Sequence, residues 1–288
     1  VEYFTPTPFA EIARRASEKM TAPSALPWIT LTTDFGHCGP YVGALKGVIL
    51  SYWREARVVD ITHEIPPQDI ATAALVVADS TPYFPPGTIH VVVVDPGVGT
   101  DRALLYAEIG SWRYLAPDNG VLTLVYKKFG AQRVLRLTEP RFWRPQVSAT
   151  FHGRDILAPV AAQLAQGLDP AQLGPPWPTL QLLDWPLPRL RPGEIVGQVI
   201  CLDTFGNLIT NVHREDLLRF ARPEDFSQLE IELAGRKIRG IGATYGLAPP
   251  GQLVALLGSS DRLEIAVVCG SAAQVLGVGP GCPVILRR

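Results

Sequence analysis

Four consecutive valines, Val91–Val94, run directly into Asp95-Pro96-Gly97-Val98-Gly99. No polar residue alternates with the valines, so the run reads as a strand buried on both faces, the situation of a parallel sheet covered by helices. The proline and glycines then force a turn at once. Asp95 has two readings at this point: a turn former at a strand end, or the rim of an active site together with Arg102 further along.

The flanking sequence supports a parallel sheet. "WITLTTDFG" is a strand ending at Asp34, and "YVGALKGVILSYW" follows with helical spacing. "ARVVDITHEI" is a second strand, "DIATAALVVADSTPYF" an Ala-rich helix, and "GTIHVVVVDPGVG" the third strand. Strand, helix, strand, helix, strand predicts a mostly parallel α/β domain over residues 27–174. Such sheets bind ligands beyond the carboxyl ends of their strands, where both Asp34 and Asp95 fall. Residues 175–193 are proline-dense and read as a stiff extended linker. Beyond them, "EIVGQVICLD", "LEIELAGRKIRG", "QLVALLGSSDRLEIAVV" and "CPVILRR" are short strands joined by glycine turns, predicting a small all-β barrel over 194–288. Residues 1–26 precede the regular pattern, contain the only methionine, Met20, and lack the apolar core of a secretory signal. They are expected to be a disordered extension without an assigned function.

The chain of 288 residues carries a net charge of -1, which offers no electrostatic footprint for nucleic acid or an anionic membrane. No apolar run approaches the roughly 18 residues of a membrane span. Cys38, Cys201, Cys269 and Cys282 are scattered without a C-x-x-C pair, which fits reduced thiols in the cytoplasm better than a thiolate metal site. His37, His63, His90 and His213 form no metal-ligand spacing either. "DFG" at 34–36 and "HGRD" at 152–155 occur in the reverse of the kinase order and lack a preceding phosphate loop, so a kinase is excluded.

The three asparagines are informative because both Asn and Lys are scarce. Asn119 in "APDNGVL" reads as a turn residue. Asn207 in "DTFGNL" is either a turn residue or a ligand to a purine edge, since an amide offers both a donor and an acceptor. In "ATFHGRD", His152 is a structural or a catalytic histidine, and Arg154 and Asp155 read as a solvated first helical turn.

Six motifs in order, "TTDFG…PYVGALKGVI", "DPGVGTDR", "APDNGVLT", "TFHGRD", "DTFGNLITNV" and "GSSDRLEIAV", resemble the S-adenosyl-L-methionine (SAM) hydroxide adenosyltransferases, adenosine-forming SAM hydrolases related to the SAM-dependent fluorinase and chlorinase. The resemblance runs from about Trp28 to the carboxyl terminus. It implies an α/β domain followed by a β-barrel, and homotrimers with the substrate held between subunits. The implied reaction is attack of water on ribose C5′, giving adenosine and L-methionine with no cofactor and no metal.

The resemblance also assigns residues. The catalytic triad falls on Asp95, Arg102 and His152, with either Asp95 or His152 as the base. Halogenases commonly carry Tyr at the first and last of these positions, and Val98 stands where the fluorinase has a hydroxyl residue near its halide. Asp34 matches the carboxylate that takes both ribose hydroxyls. Asn207 matches the adenine-edge contact, Phe205 and Tyr245 match apolar or stacking walls, and Phe151 is counted with the substrate-binding residues. Asp203 faces the methionine amine, and Ser259 and Ser260 its carboxylate. Glu264 is counted with the substrate-binding residues, although alternation along "LEIAV" also allows it to point outward. Gly39 departs from the family, whose members usually carry Asp there. A halogenase and a non-catalytic SAM or adenosine sensor are the alternatives on the same scaffold.

Overall fold

The computed structural model describes residues 26–288; residues 1–25, and the extension expected there, lie outside the described residues. The chain divides into two units, the first ending at Leu183 and the second spanning Asp184–Arg288.

In the first unit, β1 (Trp28–Thr33), α1 (Tyr41–Tyr52), β2 (Arg57–Thr62), α2 (Ile70–Ser80) and β3 (Ile89–Val93) follow the predicted alternation. Then β4 (Leu104–Ile109) and β5 (Trp112–Pro117) form a hairpin, followed by α3 (Thr123–Phe129) and β6 (Ala131–Arg136). The sheet order is β2-β1-β3-β5-β4-β6. Strands β2, β1, β3 and β5 are parallel, whereas β4 runs antiparallel to both β5 and β6. The sequence reading did not separate out this antiparallel half. Its signal is the two-residue Gly110-Ser111 turn, with Gly110 at φ 58°.

The valine run lies at the centre of this sheet and divides its side chains between two cores. Val91 and Val93 pack with Leu45, Ile49 and the helix α4 (Ala158–Ala165). Val92 and Val94 pack on the other face with Ala73 and Val77 of α2 and Val125 of α3. Helices therefore cover both faces, as the unbroken apolar run requires. Asp69 caps α2 by accepting a hydrogen bond from the Thr72 N–H at 2.9 Å.

The second unit is an antiparallel sheet ordered β11-β10-β14-β8-β9-β13-β12, with β7 (Arg189–Arg191) added beside β8 (Glu194–Leu202). The remaining strands are β9 (Leu208–His213), β10 (Glu230–Leu233), β11 (Arg236–Arg239), β12 (Leu253–Leu257), β13 (Arg262–Val267) and β14 (Pro283–Arg287). A single bridge from Gly242 to Leu256 links the chain beyond β11 to β12, which nearly closes the barrel. Its interior holds Ile195, Val199, Ile231, Ile265 and Leu286.

The proline-dense stretch, expected as a stiff extended linker, is tied down by hydrogen bonds on either side of Leu183. Trp177 donates its backbone N–H to Val134 O at 2.8 Å and its indole N–H to Asp118 at 2.9 Å, and Leu183 N–H reaches Thr123 Oγ1 at 2.8 Å. Arg189–Arg191 is an edge strand of the second unit. Proline tolerates these positions because edge pairing leaves alternate N–H groups unused.

Candidate active site

Strands β1 and β3 are neighbours with Thr33 opposite Val93. Asp34 and Asp95 thus emerge side by side beyond the carboxyl ends of two central parallel strands. Both line a cavity of about 290 Å³ in the first unit, together with Gln68, Val98, Phe151 and His152. Arg102 returns to this point after the turn that follows β3. Its Nε donates to both Asp95 oxygens at 2.8 and 2.9 Å, and its Nη2 donates to Asp95 Oδ2 at 2.5 Å. The same Nη2 lies 2.9 Å from His152 Nδ1. The structure therefore joins the three residues proposed as a triad, which the sequence separates by up to 57 positions.

An Arg guanidinium has no acceptor, so His152 Nδ1 must accept and the neutral ring carries its proton on Nε2. Burial and then the charge of Arg102 lower the His152 pKa, against the upward pull of Asp95 and Asp155. The imidazole is accordingly held neutral at physiological pH.

His152 enters a π-helical turn, Gly153–Leu157, that continues into α4. A β-carbon at Gly153 would lie 2.7 Å from Val93 Cγ1, so glycine is what lets this turn approach the central strand. Asp155 corrects the sequence reading of a solvated turn, since it is fully buried. It accepts from Arg144 Nη1 at 2.8 Å, from Arg154 Nε and Nη2 at 2.7 Å each, and from Ser148 N–H at 2.9 Å. Burial alone raises its pKa, but these hydrogen bonds outweigh it and bring the carboxyl to about 2. The π turn directs Asp155 inward, where it ties the loop after Arg144 to the segment carrying His152. Nothing in the spacing distinguishes this residue from an exposed first-turn Asp.

Asn119 is a turn residue with a second task. Its amide donates to Val94 O at 2.8 Å, fixing the backbone one residue before Asp95. Gln68, which the sequence reading passed over, has φ 67° and donates its N–H to Asp34 Oδ2 at 2.9 Å. A left-handed backbone at a non-glycine residue costs energy and is a frequent mark of a functional site. Phe151 stacks edge-on with Phe35 and Tyr41. The Tyr41 ring comes within 3.0 Å of a β-carbon at Gly39, so a larger residue there would displace it.

In the second unit, Asp203, Phe205, Asn207, Tyr245, Ser259 and Glu264 line one cavity of about 760 Å³. Ser260 is in the same turn but does not line it. Asp203 Oδ1 accepts from the N–H groups of Phe205 and Asn207 at 2.9 and 2.8 Å, and Oδ2 accepts from Asn207 Nδ2 at 2.8 Å. The carboxylate thereby fixes the amide's orientation and leaves Asn207 one donor and one acceptor. Glu264 points inward: it is buried and accepts a hydrogen bond from the Tyr245 hydroxyl. Burial, and secondarily the charge of Asp203, push its pKa up.

Among the described residues no helix is long and apolar enough to cross a membrane. The family model for the SAM hydroxide adenosyltransferase N-terminal domain matches residues 29–174, and that for the C-terminal domain matches residues 197–285. An (R)-S-adenosyl-L-methionine hydrolase of Thermus thermophilus is 40% identical over 88% of this chain and 97% of that protein. A fluorinase of Nocardia brasiliensis is more distant, at 29% identity over 91% of this chain and 97% of its own. The crystal structure of an uncharacterized conserved protein from Thermotoga maritima superposes with a TM-score of 0.85 at 34% identity, covering 90% of this chain and 100% of that one. With both domain models matched in order and a relative at this identity along nearly its whole length, the chain belongs to the SAM hydroxide adenosyltransferase family.

Proposed function

We propose that the protein hydrolyses S-adenosyl-L-methionine to adenosine and L-methionine by attack of water on ribose C5′. The observation that carries this reading is the hydrogen-bonded cluster of Asp95, Arg102 and His152 beside Asp34 at the strand ends. A sulfonium leaves as a neutral thioether, so the leaving group needs no general acid. What remains is to hold one water in line and to take its proton as the C–O bond forms.

The hydrogen-bond pattern divides these tasks. His152 presents an Nε2–H, which donates to the water oxygen and orients it. Asp95 has lone pairs beyond those committed to Arg102 and takes the proton, while Arg102 locks both groups in place. Positioning the water and excluding bulk solvent supply about 7–11 kcal/mol of the barrier reduction. Asp34 takes the two ribose hydroxyls. Asn207, oriented by Asp203, reads the adenine edge with its free donor and acceptor, between Phe205 and Tyr245. Ser259 and Ser260 receive the amino-acid carboxylate and Asp203 the amine. The proposal includes a homotrimer in which the first unit of one subunit and the second unit of a neighbour enclose one substrate. It also includes a cytoplasmic location, which suits cysteines scattered along the chain without a C-x-x-C pair.

Incubation of purified protein with SAM, followed by chromatography, tests the reading. Adenosine and methionine should appear at a rate independent of added halide, divalent metal or EDTA. Formation of a 5′-halogenated nucleoside would identify a halogenase, and binding without turnover a sensor.

A further inference from the structure

We infer that the connection between β2 and α2 holds Asp34 in its working position, with His63 as a positioning residue that acts through Thr33. This rests on the reading of Asp34 as the ribose-binding carboxylate. The His63 ring is fully buried directly behind the strand end, and its Nδ1 lies 2.8 Å from Thr33 Oγ1. Its Nε2 lies 3.1 Å from Asp60 Oδ1, without a well-aligned hydrogen bond, and Asp60 Oδ2 is 2.5 Å from Lys46 Nζ. A carboxylate this close favours the ring proton on Nε2, which leaves Nδ1 to accept the Thr33 hydroxyl proton.

The Thr33 oxygen is then free to accept the Phe35 N–H, at 3.3 Å. Gly36 N–H donates to His63 O at 2.8 Å, and Gln68 N–H holds the Asp34 carboxylate at 2.9 Å. The backbone is thus fixed before and after Asp34, and the carboxylate itself is fixed by the left-handed Gln68. Apart from the Thr33–Phe35 bond, these partners of residues 33–36 all come from residues 60–68, braced by Lys46. The order Asp60, His63, Thr33 resembles an acid–base–hydroxyl triad, but Thr33 has no exposed surface and no substrate can reach it. Its hydroxyl serves geometry.

The test compares Thr33→Val, His63→Leu and His63→Asn with Asp34→Ala, in the intact protein. The readouts are KM and kcat for SAM, and the binding preference for adenosine over 2′,3′-dideoxyadenosine. Thr33→Val and His63→Leu should raise KM and lower the ribose preference, each by about tenfold, with kcat changed less than about threefold, because the affected bonds are those to a charged group. His63→Asn, whose amide oxygen can take the Thr33 proton, should recover most of the preference. In the Asp34→Ala background, adding His63→Leu should change affinity less than about twofold, the signature of action through Asp34. Should His63→Leu fail to fold, Thr33→Val carries the test with nearly unchanged shape. If Asp34→Ala abolishes the ribose preference while folded Thr33→Val keeps it, the inference is overturned and the reading of Asp34 stands. If Asp34→Ala itself keeps the preference, that reading fails and the inference with it.

Discussion

Replacing Arg102 by Gln strikes the cluster at the one residue bonded to both others. Arg102 and Asp95 leave only 10% and 8% of their side-chain surface exposed, and three hydrogen bonds join them. Removing the cation leaves a buried carboxylate without its partner, which costs on the order of 3–5 kcal/mol of stability. Adding Asp95→Asn should return about 0.5–3 kcal/mol of that loss, since a neutral pair no longer strands a charge. The same substitution alters His152. Arg102 is the second cause of its lowered pKa, after burial, and it opposes Asp95 and Asp155. Without Arg102 only burial opposes those carboxylates, so the imidazole takes up its proton at higher pH than in the wild type. If neutral His152 is the working form, the acid limb of kcat/KM moves to higher pH.

Arg102→Lys separates charge from geometry. An ammonium preserves the positive field but has no planar fork to span Asp95 and His152 together. Its acid limb should stay close to that of the wild type, while kcat falls by about 10²-fold, the scale of loss when catalytic groups are misplaced by about 1 Å. Adenosine release would be followed by chromatography over roughly pH 5–9, on protein shown to be folded by circular dichroism. A folded Arg102→Gln enzyme with wild-type kcat and an unmoved acid limb would refute the reasoning.

Other outcomes follow from the same geometry. Burial lowers the pKa of His90, which bonds Thr30 and stacks on Tyr114, to about 3. The unfolded chain binds this proton below its ordinary value near 6.5 and the folded chain does not, so stability is lost as pH falls through that window at about 1.4 kcal/mol per unit. Denaturant titrations at neutral and mildly acid pH should show a smaller loss in His90→Asn; equal slopes would count against the assignment. Gly153→Ala should destabilise by about 1–3 kcal/mol through contact with Val93 and lower kcat by displacing His152. Wild-type melting temperature and activity would show that the turn yields freely. Asp95→Ala and Asn207→Ala subunits, each inactive alone, should regain activity when refolded together if the site is shared in a trimer. Light scattering that finds an active monomer would remove that part of the proposal.

How legible the site was depends on how far apart its parts lie in the chain. The valine run fixed β3 and its two covered faces because an unbroken apolar strand has no other stable environment. Asp34 and Asp95 followed from it, as polar residues just past the ends of neighbouring strands. The antiparallel half of the sheet hid behind apolar strands of the same character, marked only by the two-residue turn at Gly110. Joining Asp95 to His152 required more than periodicity. It depends on Gly153 allowing a π turn to lie against Val93 and on Asp155 anchoring that turn from within. Those are tertiary conditions, and locally "HGRD" looks the same with Asp155 buried or solvated. The resemblance to a family supplied what spacing could not, because it carried the whole arrangement at once. The structure adds the reason for the arrangement: Arg102, fixed by a turn after one strand, can meet a histidine 50 residues later only where a glycine lets the helix start approach the sheet.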